Sequence, residues 1–192
     1  LVDDYVDAAP CTTMMCMASN AKPGFRYLTF TNDDAELYGV DLSAFRHLAT
    51  LKSIGDVQVK AVASYVKGEN DRTSDNLYNI MPLNCKLAVT QQIGGWDNAV
   101  ELVLVQGKDD VSDVRNEITT AGYGLTNLRA SYSWKQARID FGIENLFDKF
   151  YYMPLGGAYT GQGTTMSLNG IPWGIAVPGM GRSLYAGVNF KF

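Results

Sequence analysis

The residues best suited to chemistry lie in one short stretch near the start of the chain. It reads CTTMMCM and contributes sulfur from Cys11, Met14, Met15, Cys16 and Met17. Thiolate and thioether sulfurs are soft donors, and soft donors favour Cu(I) over harder cations. The stretch therefore predicts a copper-binding loop.

The same two cysteines allow a second interpretation. Cys11 and Cys16 are close enough in sequence to form a disulfide if their geometry permits it, and an oxidising compartment would favour that bond. In that case the donors left in the stretch are Met14, Met15 and Met17. Both interpretations stay open at the level of sequence.

Little else in the chain suggests reactive chemistry. His47 is the only histidine and has no adjacent cysteine or carboxylate pattern, which is more typical of a solvated or interfacial residue than of a ligand. We find no Ser/His/Asp set, HExxH motif or phosphate-binding glycine loop, so we expect neither an enzyme nor a catalytic cofactor. A net charge of −4 argues against a nucleic-acid partner.

The elements that must position the sulfur residues read as strands. In the final stretch, Gly181 to Phe192, every second residue from Leu184 onward is apolar. About ten such residues, steeply tilted, cross a bilayer, and a closed barrel satisfies their backbone groups. No run approaches the ~18 apolar residues of a transmembrane helix. A membrane protein with this sequence would therefore cross with strands.

Charged residues within the predicted strands share one phase of the alternation, opposite the apolar phase. They are Asp41, Lys60, Lys86, Glu101, Arg129, Arg138, Asp140, Glu144 and Lys191. Cys85 falls on the apolar phase, and we expect it to be a small lipid-facing residue. One face of the sheet is therefore expected to be apolar, and the other polar and in contact with water.

The connections between strands alternate in length. Short turns are predicted near Gly55, Gly94-Gly95 and Lys135, and long loops over 8–24, 67–82, 107–124 and 152–181. We also expect a break near 31–34 in a long strand over 25–47. Outer-membrane barrels have this asymmetry, with short periplasmic turns and long extracellular loops. The pattern favours an all-β transmembrane antiparallel barrel over a soluble β-sandwich that binds a partner.

Four motifs then carry a family resemblance. They are AELYGVDL at Ala35–Leu42, NEITTAGY at Asn116–Tyr123, NLFDK at Asn145–Lys149, and the final strand from Gly181 to Phe192. In this order they resemble TonB-dependent outer-membrane receptors. The resemblance implies a barrel of about 22 strands plugged by an N-terminal domain, of which residues 1–192 supply roughly the last eight strands.

The resemblance also implies a setting and partners. The protein would lie in the outer membrane of a Gram-negative bacterium, with its loops extracellular and its C-terminus on the periplasmic side. Its partners would be outer-membrane lipid, a metal or metal chelate, and TonB, which would be contacted through a part absent from this chain. We expect either a fragment or the ordered portion of a longer receptor.

A narrower resemblance concerns the cargo. The stretches 154–159, 161–166, 172–174 and 177–179 resemble the last extracellular loop of TonB-dependent copper receptors, in which Met166 could add a soft donor. The spacing Cys11-x-x-x-Met15 resembles a Cys/Met copper motif of that subgroup. This implies uptake of copper or a copper complex.

Two alternatives stay open. In a ferric siderophore receptor, aromatic loop residues such as Tyr159 and Trp173 would contact the chelate, and a Cys11–Cys16 disulfide would only brace a loop. In a small non-transporting membrane barrel, about eight strands would close on themselves.

Overall fold

A computed structural model of the chain describes residues 2–10, 28–158 and 174–191. The strands in these ranges are β1 (Val2–Pro10), β2 (Leu28–Leu51), β3 (Gly55–Asn70), β4 (Asn84–Ile93), β5 (Trp96–Val105), β6 (Tyr123–Ser133), β7 (Ala137–Glu144) and β8 (Ser183–Phe190). Among the described residues, no helix is long and apolar enough to cross a membrane.

The eight strands form one antiparallel sheet in chain order, each paired with the next. Within the described ranges β1 and β8 do not pair with each other, so the sheet is open and has two edges. The predicted all-β antiparallel architecture is confirmed.

The predicted alternation of short and long connections is confirmed. Short turns join β2 to β3, β4 to β5 and β6 to β7, and they share one end of the sheet, here called the short-turn end. The connections 11–27, 71–83, 106–122 and 145–182 share the opposite, long-loop end. The first turn needs Gly55, which has a φ of +77°, because a Cβ there would lie 2.1 Å from the carbonyl oxygen of Gln92.

The pairing register between strands puts the charged residues of successive strands on the same side of the sheet. Asp41 lies opposite Ser64, and Glu101 lies opposite Asn127. Because cross-strand partners share a side, the charges form one continuous polar face. The other, apolar face exposes large hydrophobic side chains such as Leu42, Val100, Phe141 and Leu184. Cys85, paired with Ala63 and Leu104, belongs to the apolar face as predicted.

Aromatic side chains cluster on the apolar face at the short-turn end. The Tyr132 ring meets Trp96 edge-on at 5.0 Å and Trp134 at 4.4 Å between ring centroids. Amphipathic rings at this level are typical of the aromatic girdles that flank the apolar band of a membrane barrel.

Several expectations about strand bounds are wrong. Residues 8–10, predicted as part of a loop, belong to β1. β2 runs without a break through 31–34. The register shifts instead on β1 between Val2 and Tyr5, and on β2 between His47 and Ala49 in its pairing with β3. β3 continues through 67–70, which the sequence predicted as loop, and these residues pair with 35–38. β4 has 10 residues, the number that would cross a bilayer, and β2 and β3 extend beyond the end of β4. A strand segment outside lipid needs no apolar alternation, and polar residues continue this ladder.

Candidate functional site

The sulfur residues of the predicted copper loop lie outside the described residues. This applies to Cys11, Met14, Met15, Cys16 and Met17, and also to Tyr159, Met166 and Trp173. The ligand set and the disulfide therefore remain predictions. The structure fixes the two ends of the connection over 11–27: Pro10 and Leu28 are cross-strand partners at the long-loop end.

A polar network lies close to this hairpin end, on the part of β2 that extends beyond the end of β4. The Asp33 carboxylate accepts bonds from Arg72 Nε at 2.6 Å and Arg72 Nη2 at 2.7 Å, and from Thr31 Oγ1 at 2.8 Å. The guanidinium fork holds the pKa of Asp33 well below its ordinary value of 3.8. Asp33 therefore ties β2 to the loop that follows β3.

Asn70 extends the network to β1. Its buried side-chain nitrogen donates to Asp7 Oδ2 at 3.0 Å and to Asp33 Oδ2 at 3.2 Å, and its side-chain Oδ1 accepts the Arg72 backbone N–H at 3.0 Å. Arg115 Nη2 donates to the second Asp7 oxygen at 3.2 Å. The network thus connects the β1–β2 hairpin with the loops over 71–83 and 106–122.

A second, buried network holds these two loops together. Glu117 Oε1 accepts the Lys108 ammonium at 2.5 Å and the Asn79 amide at 3.0 Å, while its Oε2 accepts the Ser112 amide at 2.9 Å. The Lys108 side chain is only 1% exposed. Glu117, the glutamate of the NEITTAGY motif, is therefore the anchor of both loops.

The NLFDK motif holds the two ends of the β7–β8 connection together. The Asn145 side chain donates to the carbonyl oxygens of Lys149 at 2.9 Å and Met180 at 3.1 Å, and its oxygen accepts the Lys149 amide at 2.8 Å. Asp148 accepts the Arg182 amide at 2.8 Å. These bonds bring the two ends of the longest connection together between β7 and β8.

The polar face carries paired charges. The Arg138 guanidinium donates to Asp140 at 2.7 Å, which also accepts from Asn189 at 3.0 Å, and Asn127 donates to Glu101 at 2.9 Å. A cavity of about 390 Å³ lies on this face near the short-turn end, between Lys60 and Asp140. Charges with polar partners on the same strand and on neighbouring strands suit the wall of a water-filled lumen.

His47 has a carboxylate neighbour that sequence reasoning missed. Its Nε2 contacts Asp56 Oδ1 and lies 2.9 Å from Thr50 Oγ1. The short turn after β2 brings 56 back beside 47, so a hairpin register drawn across Gly55 could have found the pair. No group of three or more His, Cys, Asp or Glu able to hold a metal occurs in the part of the chain that the structure describes.

Comparison with known proteins decides the family. Residues 2–146 match the family described as TonB dependent receptor-like, beta-barrel. The chain belongs to this family. The match confirms the predicted family. Members of this family are receptors and transporters of the outer membrane, not enzymes.

Two solved structures share the fold of this TonB-dependent receptor chain. The copper transporter OprC is 24% identical and superimposes with a TM-score of 0.78, over 99% of this chain and 28% of that one. The FrpB iron transporter from Neisseria meningitidis (F3-3 variant) is 16% identical, with a TM-score of 0.62, over 99% of this chain and 27% of that one. The chain thus spans little more than a quarter of either structure. No curated protein sequence matches it.

Proposed function

We propose that residues 1–192 form the C-terminal part of the barrel of an outer-membrane TonB-dependent receptor, and that this receptor takes up copper or a copper complex. The observation that carries the proposal is the sulfur-rich stretch Cys11–Met17, which connects two paired strands of a TonB-dependent receptor sheet. The likeness in fold to a copper transporter supports the same cargo.

In this mechanism, copper is captured at the long-loop end of the sheet. Sulfur donors from Cys11, Met14, Met15, Cys16 and Met17 bind Cu(I) outside the membrane, because the β1–β2 hairpin projects beyond the bilayer. The Asp33–Arg72 pair braces the base of that hairpin. TonB then acts on the plug, which belongs to the receptor beyond this chain, and opens the polar lumen. In this orientation the long loops are extracellular and the short turns periplasmic.

A ferric chelate is the second candidate cargo. It is favoured by the likeness in fold to a structure named as an iron transporter. In that case Tyr159 and Trp173 contact the chelate and a Cys11–Cys16 disulfide braces the loop. The small eight-stranded barrel has less support, because β1 and β8 do not pair in the described sheet.

Copper binding to the full-length receptor tests the proposal. We expect the double variant Cys11→Ser/Met15→Leu to bind Cu(I) at least about tenfold more weakly in competition with a chromogenic chelator. Met180→Leu is the matched control, since Met180 is 64% exposed in a different long loop. Unchanged affinity in the double variant would remove the Cys11–Met17 stretch from the site. Uptake assays with copper against ferric chelates separate the two cargoes.

A further inference from the structure

Cross-strand partners form rows that run diagonally over the apolar face. One row runs from Arg46 on β2 through Val59, Val89 and Val100 to Leu184 on β8. Val59 is the fifth residue of β3 counted from its short turn, whereas Leu184 is the second residue of β8 counted from the long-loop end. The row therefore begins near the short-turn end at β2 and ends at the long-loop end at β8, as expected for strands that are tilted in the membrane.

A groove of about 1020 Å³ lies along this row on the apolar face. Most of its lining residues belong to this row or to the next row toward the short turns, which runs from Val57 through Ala130 to Ala186. From β3 to β8 the groove crosses five strand spacings of about 4.8 Å, or about 24 Å in all. One leaflet of the hydrocarbon is about 15 Å deep, so the groove is long enough for an extended acyl chain. We name it the diagonal groove.

Two amide side chains, Gln91 and Asn98, line the diagonal groove on the apolar face. Gln91 Nε2 donates to the carbonyl oxygen of Ile54 in the β2–β3 turn at 2.9 Å, and Asn98 Nδ2 donates to Gln91 Oε1 at 3.3 Å. Within the part of the chain that the structure describes, Asn98 Oδ1 accepts no hydrogen bond. An acceptor that faces lipid is unfavourable unless a donor reaches it. The short-turn end of the groove therefore suits a polar group attached to an apolar chain.

Arg46 lies beside this same end of the diagonal groove. Its cross-strand partner Val59 belongs to the apolar face, so Arg46 lies on that face too, and it is exposed. Its guanidinium takes part in none of the ion pairs found among the described residues. The stem of an arginine can lie on apolar surface while its charge reaches the membrane interface, where basic groups attract lipid phosphates.

We propose that the diagonal groove binds one phospholipid of the leaflet next to the short turns. The lipid phosphate pairs with Arg46, and a hydroxyl or ammonium of its headgroup donates to Asn98 Oδ1. One acyl chain lies along Val89, Val100 and Leu128, where it covers apolar surface. The site uses the membrane position given under the proposed function, but it involves none of the sulfur residues at 11–17.

Native mass spectrometry of the purified, delipidated full-length receptor tests the site by titration with dioleoyl phosphatidylglycerol. We expect Arg46→Gln to weaken the tightest binding step about fivefold, the effect of one basic residue at an anionic surface. Arg46→Lys should retain most of the binding, and Asn98→Leu, which has nearly the same size, should weaken it. Lys86→Gln, which removes an exposed positive charge from the polar face of β4, is the matched control and should bind as the wild type does.

The matched ligand is dioleoylglycerol, which has the same acyl chains and no phosphate. We expect it to bind the wild type more weakly than the phospholipid does, and to bind Arg46→Gln as well as the wild type. The proposal fails if dioleoylglycerol equals the phospholipid, if Arg46→Gln binds the phospholipid like the wild type, or if Lys86→Gln loses as much. Copper affinity is measured on the same samples: unchanged copper binding together with any of these results would overturn the lipid site alone.

Discussion

Asn145 joins three segments of the chain. Its side-chain amide bonds to the backbone of Lys149 and Met180, and its backbone N–H donates to Asn127 Oδ1 at 2.9 Å. The residue has a φ of +51°, a conformation that asparagine tolerates better than most residues. The NLFDK motif thus has a structural explanation: it turns the chain out of β7 and closes the base of the longest connection.

Replacing this side chain should therefore destabilise the barrel. For Asn145→Ala we expect the free energy of unfolding of the full-length receptor to fall by about 1–3 kcal/mol, because buried backbone groups lose their partners. Urea unfolding followed by electrophoretic mobility measures the change. Asn189→Ala, which removes one bond to Asp140 on the polar face, is the control and should change the midpoint less. Equal losses in both variants would contradict the role given to Asn145.

Asp33 gives the β1–β2 hairpin a dependence on pH. Its pKa in the folded protein is lowered, so its contribution to stability is fully present above its ordinary pKa of 3.8 and is lost as pH falls toward the folded value. We expect amides over 29–36 to keep their hydrogen-exchange protection down to about pH 4 and to lose it below.

The matching variant is Asp33→Asn. It should lower that protection already at pH 7, because the ion pair with Arg72 is gone. Asp110→Asn, in an exposed loop position, should behave as the wild type. If Asp33→Asn and the wild type were equally protected at pH 7, the pair with Arg72 would not brace the hairpin.

At the scale of elements, the sequence predicted what the bilayer dictates. Within the membrane level each strand must present apolar residues to lipid and polar ones to the lumen, so Lys60 and Glu101 could be assigned to one face from period alone. Beyond it that constraint disappears, and Lys67 to Asn70 were predicted as loop although they continue β3. The Lys108–Glu117 pair could not be foreseen, because spacing within a loop does not reveal which loop packs against it.

The pairing of β2 with β3 depends on close approach at Gly39. A Cβ at this position would lie 2.5 Å from the carbonyl oxygen of Tyr65, a backbone atom that cannot move without disturbing the ladder. For Gly39→Ala we expect a loss of about 1–3 kcal/mol in unfolding free energy, as for other overpacked sites. Gly187→Ala on β8 is the control, because nothing lies within 4 Å of its added carbon. A smaller loss at Gly39 than at Gly187 would refute this explanation.

At the scale of the whole molecule, the sheet of the described residues is open, with β1 and β8 at its two edges. Structures of the same fold extend over more than three times the length of this chain. An unpaired edge in lipid is unfavourable, because hydrocarbon offers no partner to backbone N–H and C=O groups. In a closed barrel of this family, the polar face, with its paired Arg138 and Asp140, would line the lumen.

The proposed function places the long-loop end of the sheet outside the cell, and that orientation can be measured on cells. In a full-length receptor with Cys11, Cys16 and Cys85 replaced by serine, we expect Asp110→Cys, at the long-loop end, to react with a membrane-impermeant maleimide on intact cells. Lys135→Cys, in the short turn between β6 and β7, should react only after the outer membrane is permeabilised. Both positions are exposed in the structure, so a difference in labelling reports on sidedness and not on burial. The reverse labelling pattern would place the long-loop end, and with it the stretch 11–17, in the periplasm. It would contradict the proposal that this loop captures copper from outside the cell.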